Sequence, residues 1–377
     1  MKVALIGTFP ASMVNFRGKL LQDIAAQGHS VFAFANGYSD AQKQQIRDFG
    51  AEPVEYEIDR TGTHPLKDLK SALQLRGLIR HLGIQVILTN FMKPVVYASL
   101  AAVGTSAKDR YALLPGLGYA FTETGSKKTS KQRVLSFIIE RLLKLSLKHN
   151  SKLFLYNRDD VDEISQRKLI SPNRIVQLGG TGVDLADFTV TVPPTAPVTF
   201  ILVARLLREK GIVEFAHAAA QVKNRFPDTQ FQLLGMLDSN PGALAKSEVQ
   251  GWVEEGILEW PGYVEDVTDW LQSASVFVLP SYYREGVPRS TQEAMAMGRP
   301  IITTDAPGCR ETIVNEENGY MVPVRDSSAL ADAMVRFIES PEKIGRMGLR
   351  SREIAEQRFD VRRINSHIIR EMGLESS

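Results

Sequence analysis

Residues 188–197 read Phe-Thr-Val-Thr-Val-Pro-Pro-Thr-Ala-Pro. Three prolines in five residues can continue neither a helix nor a central strand, so the segment predicts a linker. On both sides of it, short apolar runs alternate with stretches of helical length. Before it, residues 3–6, 30–35, 85–89, 110–114, 152–156 and 174–178 read as strands, and residues 17–27, 66–81 and 131–149 have helical periodicity. After it, strands are expected at 198–204, 229–234, 276–279, 300–303 and 319–322, with helices between them and at 329–339, 342–357 and 361–372. Strands separated by helix-length segments predict βαβ units and parallel sheets. The continuous runs Val86-Ile87-Leu88 and Leu153-Phe154-Leu155 suit strands covered on both faces. A length of 377 residues fits two such domains. The expected fold class is α/β: two Rossmann-like domains with parallel sheets facing across a cleft, spanning 1–187 and 188–358. Ligands of such sheets bind outside the carboxyl ends of the strands.

The bulk properties narrow the function. The formal net charge is +2, which gives no global field for nucleic acid. Apolar residues make up 44% and charged residues 23%, the balance of a soluble globular chain. Cys309 is the single cysteine, so no internal disulfide can form. The apolar run Val3-Ala4-Leu5-Ile6-Gly7 breaks at Thr8, too early for a signal peptide. No stretch approaches the ~18 apolar residues that a membrane span needs. The expected location is cytoplasmic, peripheral at most on the inner face of the membrane.

The second half carries the chemistry. The strand at 198–204 runs directly into Arg205-Leu206-Leu207-Arg208-Glu209-Lys210-Gly211. Arg205 and Lys210 thus sit at a strand's carboxyl end before a helix start, where cations and helix dipole suit a departing diphosphate. Alone, either could be a solvated loop residue. After the strand at 276–279 comes Ser281-Tyr282-Tyr283-Arg284-Glu285-Gly286-Val287-Pro288-Arg289-Ser290-Thr291-Gln292-Glu293. A carboxylate can accept two hydrogen bonds from vicinal sugar hydroxyls, which gives Glu285 and Glu293 a role. Backbone amides of Val287, Arg289 and Ser290 can face a phosphate; Pro288 has none to offer. Ser290-Thr291-Gln292-Glu293 also reads as a capping box, which by itself would account for Glu293. Cys309, in Pro307-Gly308-Cys309, reads as a turn residue with no partner for thiol chemistry.

Arg205…Lys210-Gly211, the Glu285/Glu293 pair and Gly298-Arg299-Pro300, with Gly28-His29-Ser30-Val31 and Gly182-Val183-Asp184, resemble glycosyltransferase family 4, whose fold is called GT-B. The resemblance spans nearly the whole chain. The runs 281–290 and 307–311 are similar to a branch that builds bacterial capsules, O-antigens and lipid-linked glycans, N-acetylhexosaminyl- and galactosyltransferases among them. The resemblance implies retention of anomeric configuration. It also implies that Arg205 and Lys210 hold the donor diphosphate, Glu293 the ribose and Glu285 the transferred sugar, with the base against Tyr263 and Val264. Val287-Pro288 stands where many members have Phe-Gly, which affects the amide contacts of that turn. The donor expected is a UDP-sugar, with no metal and no further cofactor, because the cations replace a divalent ion. The acceptor expected is a polyprenyl-diphosphate-linked glycan. A terminal helix at about 359–377 is expected to pack back onto the first domain.

Acceptor contacts are expected in the first half, from Asn15 and Arg17 in a loop at 8–17, from Lys93, and from Gly118 and Tyr119. Neither that loop nor Gly116-Leu117-Gly118 carries a dinucleotide fingerprint. His29 reads as structural, beside the Gly28 that closes a helix. Between residues 127 and 152 eight Lys/Arg face one acid, Glu140, with Arg141, Lys144 and Lys148 on one helical stripe and Leu135, Ile138, Leu142 and Leu145 on another. Such a helix is either an ordinary domain helix or one that rests on anionic lipid. The lipid-linked acceptor favours the second. Two rivals remain: a nucleotide-sugar 2-epimerase of the same architecture, and a non-catalytic sugar-binding protein, which would need an export signal. The order of Arg/Lys then Glu/Glu favours transfer.

Overall fold

Every strand pairing is parallel in the computed structural model, which describes residues 1–59, 65–117, 130–238, 240 and 242–376. The chain divides into two units, one of Met1–Thr181 with Val361–Ser377 and one of Gly182–Asp360.

The first unit's strands are β1 (Lys2–Ile6), β2 (Ser30–Ala35), β3 (Ala51–Glu55), β4 (Val86–Asn90), β5 (Asp109–Leu114), β6 (Lys152–Leu155) and β7 (Ile175–Gln177). They lie in the order β3-β2-β1-β4-β5-β6-β7. Order reverses between β1 and β4, where Val3 faces Val86 in register. Between the strands run α1 (Pro10–Ala26), α2 (Asp40–Asp48), α3 (Pro65–Leu82), α4 (Met92–Ala101), α5 (Ser130–Leu147) and α6 (Arg158–Gln166). The strands' apolar runs are buried against helices: Ala4, Ile6 and Ile87 pack with Leu75 and Ile79 of α3 and Ala98 of α4. The other flank of α4, at Val95 and Val96, packs with Leu143 and Leu147 of α5 and with Leu153 and Leu155.

The second unit has β8 (Thr199–Val203), β9 (Gln230–Leu234), β10 (Glu259–Gly262), β11 (Val276–Leu279), β12 (Ile301–Thr304) and β13 (Gly319–Val322), ordered β10-β9-β8-β11-β12-β13. Its helices are α7 (Ile212–Arg225), α8 (Lys246–Glu254), α9 (Thr268–Ser273), α10 (Arg289–Ala296), α11 (Ser327–Ile338) and α12 (Glu342–Arg358). The order reverses between β8 and β11, so the loops leaving these two strands meet at the switch point where such sheets hold ligands.

The proline-rich segment is not the boundary. The units part at Thr181/Gly182, and residues 182–191 belong to the second unit. Val183 bridges to Asp360, the Thr191 amide donates to Met297 O at 3.2 Å, and the buried Arg299 guanidinium holds the Thr191 hydroxyl. These bonds tie the segment down before its prolines begin. The last helix, α13 (Val361–Glu371), lies in the first unit. Its Ile364, Ile368 and Ile369 are buried, Asn365 Nδ2 donates to Asp23 at 2.7 Å, and Lys152 pairs with Glu371 at 2.6 Å. His29 Nε2 lies 2.9 Å from Leu374 O, a structural contact.

Candidate active site at the carboxyl ends of β8 and β11

The loop after β8 is shaped by one glycine. Residues Arg208–Lys210 make a single 3-10 turn, and Gly211 follows at φ 76°, in the left-handed region, to start α7. A Cβ on Gly211 would lie 2.1 Å from the carbonyl oxygen of Pro280, the residue that follows β11. Only glycine lets the two loops approach this closely. The contact is reinforced by Glu209, whose carbonyl accepts the amides of Tyr282 (2.9 Å) and Tyr283 (3.0 Å).

This approach places Lys210 on Glu285. The two form an ion pair, and both side chains are nearly buried. Lys210 Nζ also stands 5.5 Å above the Tyr283 ring, a cation–π contact. Glu285 Oε1 is 3.1 Å from the Ser281 hydroxyl. Gly308, at φ 78°, packs behind it: a Cβ there would meet Gly286 O at 2.3 Å and Glu285 O at 2.7 Å. Cys309 beside it is fully buried, and burial pushes its thiol up to about 12, which leaves it inert.

Arg205 is half exposed and donates to Asp238 Oδ2 at 2.7 Å. Asp238 was not among the expected residues. It follows β9, the strand beside β8, so its place at a neighbouring carboxyl end was the available signal. Gly235 lets its loop fold over β8, since a Cβ there would lie 1.8 Å from Ala204 O.

Glu293 is not part of a capping box. α10 begins at Arg289, with Pro288 at the cap position and no side-chain cap bond, so Ser290 lies inside the helix. Pro288 holds the cap position in extended backbone, so the helix starts at Arg289, before the serine. Glu293 instead accepts from Arg289 Nε at 2.8 Å, one helical turn away. Burial raises its pKa above the ordinary carboxylate value, and Arg289 offsets this only in part. Neither α7 nor α10 has a side-chain cap, so both present first-turn amides at the switch point without a capping side chain. Val287 is buried, its carbonyl held by Gln292 Nε2 at 3.0 Å. Tyr263 is exposed and Val264 half buried, just past the end of β10.

The acceptor-side expectations fare differently. The stretch 8–17 is not a loop, because α1 starts at Pro10, where proline's fixed φ favours a first turn. Asn15 is exposed on α1. Arg17 is buried and donates from Nη2 to the Tyr156 hydroxyl at 2.6 Å, which makes it a core residue rather than an acceptor contact. Lys93 is paired with the buried Asp68 at 2.9 Å, joining α4 to α3. Gly118 and Tyr119 lie outside the described residues. Asn90, at the end of β4 beside the β1/β4 switch, is buried with both side-chain polar atoms unpartnered. Phe91 follows it at φ 74°, ψ 160°, a backbone region that residues other than glycine rarely occupy. An orphaned amide next to strain, at the switch point of the first sheet, is the feature that sequence reasoning missed.

Residues 197–340 match the family described as "Glycosyl transferases group 1". The chain is 26% identical over 352 residues, 90% of each chain, to N,N'-diacetylbacillosaminyl-diphospho-undecaprenol alpha-1,3-N-acetylgalactosaminyltransferase of Campylobacter jejuni. It is 24% identical over 292 residues, 73% of this chain and 71% of the relative, to UDP-Gal:alpha-D-GlcNAc-diphosphoundecaprenol alpha-1,3-galactosyltransferase of Escherichia coli. Among solved structures it is similar to sucrose-phosphate synthase from Thermosynechococcus elongatus, with TM-score 0.79, 19% identity and 98% of both chains covered. It is also similar to Anabaena HepE in complex with UDP, with TM-score 0.78, 16% identity, 99% of this chain and 100% of that one. The fold is therefore GT-B. Within it, residues 197–340 of the second unit carry the similarity to glycosyl transferases group 1.

One consequence is measurable on the carboxylate. Because Glu293 titrates above its ordinary value, its contribution to stability is present below that value and is lost as pH rises through the raised one. Glu293→Gln is expected to flatten this part of the pH dependence, read by thermal melts at stepped pH. It is also expected to raise the KM for donor about tenfold, the worth of one hydrogen bond to a charged group.

Proposed function

We propose that the chain is a retaining, metal-independent glycosyltransferase. It moves a hexose or N-acetylhexosamine from a UDP-sugar to a polyprenyl-diphosphate-linked glycan at the inner face of the cell membrane. The observation that carries this reading is the Lys210–Glu285 ion pair, which joins the two strand-end loops of the β8/β11 switch. Without donor, the cation and the carboxylate satisfy each other. A nucleotide sugar offers each a better partner: the diphosphate takes Lys210, and sugar hydroxyls take Glu285.

As the bond between the anomeric carbon and the β-phosphate oxygen breaks, negative charge grows on the diphosphate. Lys210, Arg205 and the uncapped amides of α7 and α10 are fixed where they stabilise that charge. Glu293 holds the ribose, and Tyr263 and Val264 flank the base. The leaving phosphate oxygen takes the acceptor hydroxyl's proton on the front face of the sugar. The acceptor class is supported by the names of the Campylobacter jejuni and Escherichia coli relatives, both of which act on undecaprenyl-diphosphate-linked sugars.

Among the described residues no helix is long and apolar enough to cross a membrane, so a lipid-linked acceptor must be met at the surface. The face of α5 fits that contact. Phe137, Ile138 and Leu145 are exposed beside Arg141, Lys144 and Lys148, and the Arg141 guanidinium covers the Phe137 ring at 4.9 Å. Leu143 and Leu147 face the core, with Leu142 half buried, while the Leu135 side chain is outside the described residues.

Thermal melts with UDP-, GDP- and ADP-sugars test the donor assignment. Saturation at 100 times Kd stabilises by about 2.7 kcal/mol, so one UDP-sugar is expected to raise Tm by several degrees. A melt indifferent to every nucleotide sugar sinks the reading. Turnover is expected to survive EDTA; loss restored by Mn²⁺ overturns metal independence. Release of a free epimer without acceptor would assign the epimerase chemistry instead.

A further inference from the structure

A concave site lies in the first unit, and none of its lining residues belongs to the donor machinery. It is an open cavity of about 520 Å³ between the end of α5, the turn after α6 and the turn before β7. Lys144 of α5 and Lys148 just past its end line it with Lys168 of the turn and Arg174 before β7, and Leu169 and Ile170 form an apolar wall. No carboxylate lines it. The nearby acids Glu140 and Glu163 are both engaged by Arg167, at 2.7 Å and 2.5 Å. Four cations around one cavity with no lining counter-charge repel each other and favour a multivalent anion.

The site is built, not merely basic. Arg174 is anchored by a 2.9 Å bond from Nη1 to Asn150 O. Lys168 sits at φ 52°, where its amide closes on Ser165 O (3.0 Å) at the end of α6. That position favours glycine. Lys168 is exposed there, and its side chain lines the cavity. Lysine point charges with an arginine fork are the donor set for phosphate oxygens.

We propose that this cavity binds the phosphate headgroup of an anionic lipid at the bilayer surface. The proposal rests on the membrane contact of α5 given above and adds a specific headgroup site to it. Two arguments favour a bilayer over free phosphate. Phe137, Arg141, Lys144 and Lys148 follow one another along a single stripe of α5. Leu145, half exposed, stands next to the two lysines that line the cavity. A helix lying with those apolar side chains in the interface holds Lys144 and Lys148 at headgroup depth.

The test compares wild type with Lys148→Ala/Lys168→Gly and with Ile138→Ser/Leu145→Ser. Binding is measured by co-sedimentation with phosphatidylcholine vesicles, with and without phosphatidylglycerol, at low salt. Each cation at an anionic surface is worth about fivefold, so the lysine variant is expected to bind phosphatidylglycerol vesicles about 25-fold more weakly. Its Tm should be unchanged or higher, since glycine relaxes the backbone at 168, which removes misfolding as an explanation. Glycerol phosphate is expected to raise the Tm of wild type and not of this variant. Unchanged vesicle binding by the lysine variant overturns the headgroup site, and if Ile138→Ser/Leu145→Ser then loses binding, the α5 contact stands without it. Protection by inorganic phosphate with no vesicle binding overturns the lipid source. Absence of wild-type binding to any vesicle removes both the contact and the site.

Discussion

Replacing Lys210 with alanine is expected to lower kcat about 10²–10³-fold at saturating donor, the cost of losing one preorganised group at a developing charge. The loss should fall on kcat more than on KM, because charge on the diphosphate grows as the sugar departs and is smaller in the ground state. Arg205→Ala should behave in the same direction with a smaller loss, since its half-exposed guanidinium acts through more solvent. Lys210→Ala also leaves Glu285, 8% exposed, without its cation. Folding must therefore be checked by melting before kinetics are compared. Normal turnover in a folded Lys210→Ala protein would mean that the β8/β11 switch is not where the diphosphate is stabilised.

The second large effect is on the fold. Gly211→Ala is expected to destabilise the second unit by about 3 kcal/mol or more, combining a left-handed residue with an overpacked contact. The added Cβ would stand 2.1 Å from Pro280 O and 2.6 Å from its carbonyl carbon, and backbone yields less than a side-chain tip. Urea unfolding followed by intrinsic fluorescence reads this, with the two units treated as separate transitions. Survivors should show impaired turnover, because relief of the clash moves Lys210 off Glu285. A stability equal to wild type would contradict the loop geometry.

Much of the architecture is legible in the order of residues, and the exceptions share a cause. Two strands escaped the pattern, β3 and β10. Both are edge strands, both contain a proline (Pro53 and Pro261), and neither is covered as central strands are. An edge strand needs hydrogen bonds on one side only, so it tolerates proline and lacks the continuous apolar run. The switch-point loops were recognisable because Arg205, Lys210 and Glu285 follow strands that read clearly as β8 and β11. What they touch was not. The pairings of Arg205 with Asp238 and of Lys210 with Glu285 depend on which strands lie side by side, and no local pattern encodes that. Arg17 shows the same limit in reverse: a cation near a strand end reads as a ligand contact, yet Tyr156, 139 positions away, holds it in the core. Proline misled twice in opposite ways. At 193–197 its density suggested a boundary that lies at 181/182, and at Pro10 and Pro288 it opened helices earlier than the polar residues nearby implied.

The return of α13 to the first unit bears on how the chain matures during synthesis. Residues 1–181 leave the ribosome first, yet α1 still lacks the cover that Ile364, Ile368 and Ile369 supply. The later segment, 182–360, has all its strands before that helix is translated, so it is free to reach its final form earlier. Until residues 361–376 emerge, the nascent first unit carries an uncovered apolar stripe, the stage at which a chaperone has most to hold.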